Sequence, residues 1–163
     1  MKSFTDNTGR TWIVNVNVGT IKRVRALCDV DIANIISIES GQKPKIALLE
    51  QLANDPVLLV DVLYAVCKEE ADTKNISDED FGRSMAGDAI EHATSALLDE
   101  IIDFFPETKR KVFRRILDAT RRFEAKTRET LSMLLADPKL DSQIDAALEK
   151  LTTSSLNLQE SAE

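Results

Sequence analysis

The stretch from Asp55 to Cys67, reading DPVLLVDVLYAVC, constrains this chain more than any other segment. Asp-Pro is a helix start: the aspartate can cap the first turn, and proline at the first helical position gives up only an N–H that has no partner there. The run that follows is apolar on almost every side. A helix of that kind is stable only when neighbours cover it all round, so the sequence predicts a helical domain built about this segment. With 163 residues the chain is long enough to bury such a core without disulfides or metals, and too short for a second full domain.

The flanking segments supply the neighbours. Residues 2–5 and 11–18 read as two strands about the turn Asp6-Asn7-Thr8-Gly9, where Gly9 can take the positive φ of a short hairpin loop. In TWIVNVNV, Trp12, Val14, Val16 and Val18 share one face, and Thr11, Asn15 and Asn17 share the other with the exception Ile13. A two-stranded hairpin is marginal alone, so the Trp12 face must lie on helices or pair with another chain. Thr20 is the expected cap of a helix over about 21–28, carrying Ile21, Val24, Leu27 and Cys28. Asp31 to Ile38 suits a brief helix or a strand, Ser40-Gly41-Gln42 ends it, and Pro44 to Leu52 gives another short helix.

Lys68 to Asp80 is polar and closes on Ser77-Asp78-Glu79-Asp80, a capping-box variant that opens a further helix. Phe81, Met85, Ile90, Ala93, Leu97, Leu98, Ile101 and Ile102 continue the helical period to Phe105-Pro106, with a break or tight contact expected near Gly87. After Pro106, Val112, Ile116, Ala119, Phe123, Thr127, Leu131 and Leu134 mark a long amphipathic helix that Asp137-Pro138 stops. A short amphipathic helix with Leu140, Ile144, Leu148 and Leu151 follows, then a polar tail. The expected organisation is one mainly α domain over 1–137, with an N-terminal β-hairpin within 1–18 and a long basic amphipathic helix near the C-terminus, and an appended segment over 138–163.

Composition sets limits on function. Apolar residues make up 43% and charged residues 30%, the balance of a folded helical protein, and no apolar run approaches the roughly 20 residues that span a bilayer. Secretion and membrane insertion are not expected. Cys28 and Cys67 lie in apolar segments and are too few for a disulfide framework, so both are expected to be reduced core residues. The net charge of −7 argues against a protein that coats phosphate backbones.

No catalytic apparatus is legible. His92 is the only histidine, and no strand-turn-helix nucleophile elbow accompanies it, so it reads as a helix-surface residue. Two cysteines and one histidine at wide spacing do not resemble a zinc site. Asp80-Phe81-Gly82 spells a kinase metal motif without the glycine-rich loop or catalytic loop that give it meaning. The acidic run from Asp72 to Asp80 has Ser77 where a calcium loop needs glycine. The sequence therefore predicts no enzyme, no metal site and no cofactor.

Two features remain. Between Lys109 and Arg128 nine basic residues face two acids, a stretch of +7 that leaves −14 for the rest of the chain. Its face, with Lys109, Arg110, Arg114, Arg115, Arg121 and Arg122, suits plain solvation first, an acidic partner such as another copy's Asp72 to Asp80 region second, and nucleic acid last, because only Phe113 and Phe123 interleave the charges. The hairpin edge either closes over the core or pairs with a partner strand.

The order of elements resembles the tail assembly chaperones of long-tailed bacteriophages over about residues 3–106. The resemblance rests on a short hairpin, then Gly19-Thr20-Ile21-Lys22-Arg23, Asp61-Val62-Leu63-Tyr64-Ala65-Val66, Ile76-Ser77-Asp78-Glu79-Asp80-Phe81 and Asp103-Phe104-Phe105-Pro106. It implies a non-enzymatic protein of the host cytoplasm that self-associates, binds the tape measure protein and helps tail tube subunits assemble around it. Candidate apolar contacts for such a role are Val112, Ile116, Phe123, Leu131, Ile144 and Leu148, although stripes of this kind ordinarily face inward and that is the expectation here. A structural virion component, such as a tail adaptor or completion protein, is the alternative.

Overall fold

The computed structural model describes residues 1–37 and 45–136, together with 139, 140, 142, 146 and 148. It is mainly helical. A hairpin of β1 (Lys2–Thr5) and β2 (Thr11–Val14) is followed by α1 (Val18–Cys28), a 3-10 turn (Ile32–Asn34), α2 (Ala47–Asn54), α3 (Pro56–Lys74), α4 (Asp78–Arg83), α5 (Asp88–Phe104) and α6 (Glu107–Leu135). The chain divides into two compact units, residues 1–114 and 115–163, and α6 contributes to both.

Helix α3 is the centre of the first unit, packed against α1, α2, α4, α5 and β2. It starts as its sequence predicts, with the Asp55 carboxylate accepting from Leu58 N at 3.0 Å and Pro56 in the first turn. Leu59, Val62, Leu63, Ala65, Val66, Cys67 and Ala71 are buried along it. The helix continues through the polar stretch to Lys74, beyond the end its apolar run suggested. Lys68–Asp72 and Lys74–Glu70 ion pairs one turn apart line that extension, and Asn75 ends it in the left-handed conformation at φ 52°.

The hairpin pairs Lys2 with Val14, Ser3 with Ile13, Phe4 with Trp12 and Thr5 with Thr11. β1 lies along α5 and β2 along α3, so the Trp12 face rests on helices of its own chain. The edge of β2 is closed by α3 side chains. Glu70 Oε2 accepts from Ile13 N at 2.9 Å, Lys74 Nζ donates to Thr11 O at 2.8 Å, and Cys67 Sγ lies 3.8 Å from Ile13 O. Burial pushes the Cys67 thiol up to about 12, with the Glu70 charge adding to it.

Asp6 organises the loop between the strands. Its Oδ1 accepts from Thr8 N at 2.9 Å, Thr8 Oγ1 at 2.7 Å and Arg10 N at 3.0 Å. Its Oδ2 accepts from Arg10 Nε at 2.8 Å and Trp12 Nε1 at 2.9 Å. Gly9 takes φ 83°, as the turn requires. Trp12, fully buried, meets the Phe81 ring edge-on at 4.9 Å and carries Lys74 Nζ 4.6 Å from its ring centre. Asn7 then ties the loop to the α4–α5 connection, donating from N to Ser84 O and from Nδ2 to Ala86 O.

Several local expectations shift. β2 stops at Val14 rather than Val18, because Asn17 turns the chain into α1 by accepting from Thr20 N at 3.1 Å. Thr20, expected as the cap, is instead buried inside the helix and donates to Asn15 O at 3.0 Å. The 31–38 segment holds a 3-10 turn capped by Asp31, then a single bridge from Ser37 to Lys45. The next helix begins at Ala47. The break near Gly87 is present: Ser77 caps α4, Gly87 takes φ 54°, and α5 starts afresh at Asp88. The expected stops at Ser40-Gly41-Gln42 and Asp137-Pro138, the Pro44 helix start and the tail from 152 lie outside the described residues.

Asp6 gives this unit a predictable acid sensitivity. Burial raises its pKa, but hydrogen bonds from Thr8, Trp12 and Arg10 outweigh that and hold the carboxyl well below its ordinary value of 3.8. Because the folded pKa is the lower one, the charged group stabilises the fold fully above pH 3.8, and that contribution is lost as pH falls below it. Asp6→Ala is expected to cost about 3 kcal/mol at neutral pH, leaving Trp12 Nε1 and two backbone N–H groups unpaired. Urea unfolding should show the gap between wild type and variant narrowing as the solution is taken to about pH 2.

Candidate protein-binding surface

Helix α6 begins after Pro106, and its first turns are held against α5. Arg114 Nη1 lies 3.1 Å from Asp99 Oδ1 and its Nη2 2.5 Å from Asp103 Oδ1, bridging α5 and α6. Phe113 is buried, its ring edge-on to Phe105 at 4.9 Å. Arg114, expected on the outward basic face, is therefore half-buried in a structural ion pair. Lys109 is exposed with Nζ 5.9 Å from the Phe105 ring centre, and Arg110 is half-buried.

The apolar stripe of α6 is not core. Val112, Phe123, Leu131 and Leu148 are exposed by 41%, 73%, 53% and 56%, and Ile116 is half-buried. The inward positions are Phe113 and Leu117, one step further round the helix, at 4% and 3% exposure. The reason is geometric. At 100° per residue Val112, Ile116 and Phe123 lie opposite Arg114, which meets Asp99 and Asp103, whereas Phe113 and Leu117 lie beside it. Leu134 and Leu135 extend the exposed apolar surface, while Arg115 and Arg122 are exposed and Arg121 is half-buried on the same helix. Ile144 lies outside the described residues.

A second surface joins residues far apart in the chain. Val57, Val60 and Asp61 of α3, Asp78 and Glu79 of α4, and Met85 and Ile90 line an open cleft of about 500 Å³. Its floor is apolar, and Val57 is 69% exposed. Its rim is acidic. Glu79 is paired with Arg83 at 2.6 Å, whereas among the described residues no ion pair reaches Asp61 or Asp78. Partial burial together with the charges of Asp78 and Asp55 raises the Asp61 pKa, and the Cys28 thiol is raised by burial and then by Asp61 and Asp78. Cys28 is only half-buried, unlike Cys67, so just one of the two cysteines is a core residue. The apolar run of α3 predicts cover all round; at its start Val57 is instead exposed.

The remaining motifs are accounted for by the fold. Phe81 of the Asp80-Phe81-Gly82 triplet is core, and Asp80 meets Ser77 and Arg83. His92 is exposed on α5. Among the described residues, no group of three His, Cys, Asp or Glu side chains is placed to hold a metal ion, and no helix is long and apolar enough to cross a membrane. Comparison with protein-family models, with curated proteins and with solved structures gives no match to this chain.

The outward stripe of α6 makes a direct stability test. Phe123→Glu is expected to change unfolding free energy by no more than about 0.5 kcal/mol, as an exposed substitution does, and Phe113→Ala to cost about 3 kcal/mol. Urea midpoints of the two variants distinguish the faces; equal losses would place Phe123 in the core.

Proposed function

We propose that this chain is a non-enzymatic assembly chaperone of a bacteriophage tail, acting in the host cytoplasm by binding the tape measure protein while tail tube subunits assemble around it. The observation that carries the reading is the exposed apolar stripe of α6, with Phe123 at 73% and Leu131 at 53% exposure, set among basic residues. A holding protein needs apolar surface that a client can cover, and clustered positive charge steers an acidic client toward it. The element order over residues 3–106 supplies the family likeness; the stripe supplies the means of binding. Val112 and Ile116 lie on the same helix, exposed Leu148 beyond it is a further candidate, and self-association belongs to the role.

Co-expression tests it. The chain is produced with its native downstream sequence beside the neighbouring tail genes, the large tape measure protein carries the tag, and recovered proteins are identified by intact mass. Capture of the chain, and solubility of the tape measure protein only in its presence, is the expected result. Leu131→Glu should lower recovery about tenfold without unfolding the chain. No capture removes the reading, and recovery of the chain from purified mature particles transfers it to a structural tail component.

A further inference from the structure

The two exposed apolar surfaces are complementary in charge and located in different units of the chain. The cleft of the first unit has an apolar floor at Val57, Val60 and Ile90 beneath the carboxylates of Asp61 and Asp78, which no ion pair reaches among the described residues. The second unit exposes Phe123, Leu131 and Leu134 on a helix that also carries Arg115, Arg122 and Lys126. We propose that the α6 stripe of one molecule docks in the α3–α4 cleft of a second molecule, so that copies associate head to tail.

Charge decides between this arrangement and the obvious alternative. Pairing α6 with α6 of another copy would cover the same apolar side chains, but it would bring together two net-positive stretches, each with Arg115, Arg121, Arg122, Lys126 and Arg128 against Asp118, Glu124 and Glu129. Seating α6 on the cleft sets that charge against the carboxylates of Asp61 and Asp78. The cleft also gains from it. Asp55, Asp61 and Asp78 lie close enough for their charges to raise the Asp61 pKa, and an arginine or lysine from outside relieves that repulsion. An aromatic anchor such as Phe123 entering an apolar depression with charged groups at its rim is the usual anatomy of a binding hot spot.

The geometry of such a contact has a consequence. The two surfaces differ, so each added copy presents a fresh cleft and a fresh helix, and association continues until a ring closes. One helix face on one cleft is at the small end of specific interfaces, so the association is expected to be weak and reversible, on the order of 10 μM. The proposal specifies surfaces for the self-association included in the chaperone reading and rests on that reading only to that extent.

Sedimentation velocity on the whole chain tests it. Val57 and Phe123 are both largely exposed, so Val57→Glu and Phe123→Glu each remove one surface without opening the core. The wild type should grow in mass between about 1 and 100 μM, and growth should weaken about tenfold when salt is raised to about 0.5 M. Either variant alone should stay monomeric, and an equimolar mixture should form a 1:1 dimer and go no further, since only one intact cleft meets one intact helix. Val18→Glu, at an exposed position on α1, should behave as wild type. The proposal is overturned if the wild type is monomeric throughout, if either variant still self-associates, or if the mixture yields no dimer. A monomeric wild type that still captures the tape measure protein sinks this inference and leaves the chaperone reading standing; a self-associating chain that captures nothing does the reverse.

Discussion

The Asp6 carboxylate receives five hydrogen bonds from Thr8, Arg10 and Trp12, and the arrangement of the first unit follows from them. A hairpin with strands of four residues cannot stand alone in water. Here a buried charge closes the loop and holds the Trp12 indole at a fixed angle. Trp12 then packs on Phe81, and Phe81 on Tyr64, so β2, α3 and α4 are locked through three rings. Taking the carboxylate out of water is costly by itself. Five donors offset the cost, and the depressed pKa of Asp6 is the sign that they do.

With that corner in place, α3 is covered along most of its length but not at its start. α4 is only six residues long, and it leaves Val57 and Val60 beside an acidic rim. α6 likewise buries Phe113 and Leu117 near its start, whereas Phe123, Leu131, Leu134 and Leu135 further along it are exposed. Two exposed apolar surfaces result, one with an acidic rim and one on a helix rich in basic residues.

Much of the scaffold was legible in local sequence. Asp55-Pro56 and Ser77 start helices where their side chains say they should, Gly9 takes the positive φ of its turn, Gly87 marks the expected break, and of the alternating Trp12, Val14, Val16 and Val18 the first three are buried while Val18 is exposed at the start of α1. Each of these signals acts over four residues or fewer, so no tertiary context is needed to read it. Where two local signals competed, reading was less secure. Thr20 is the expected cap, but Asn17 caps α1 through its side-chain Oδ1, which accepts from Thr20 N, while Thr20 is drawn into the core.

The candidate surfaces were the part that periodicity could not settle. An apolar stripe on a long helix reads the same whether it faces a core or solvent, and the sequence of α6 offers Phe113 with Leu117 and Ile116 with Phe123 as rival faces one step apart. The choice falls to Arg114, whose partners Asp99 and Asp103 lie on the preceding helix, and to the packing of Phe113 on Phe105. The cleft likewise joins Val57 to Ile90 across two helix boundaries. By itself the sequence determined that the chain is mainly helical, that helices start after Asp55 and Ser77 and that the α3 segment lies at the centre, because those signals lie in neighbouring residues. Tertiary structure alone decided which side chains stay outside, because burial is a competition between faces that only the assembled helices can resolve.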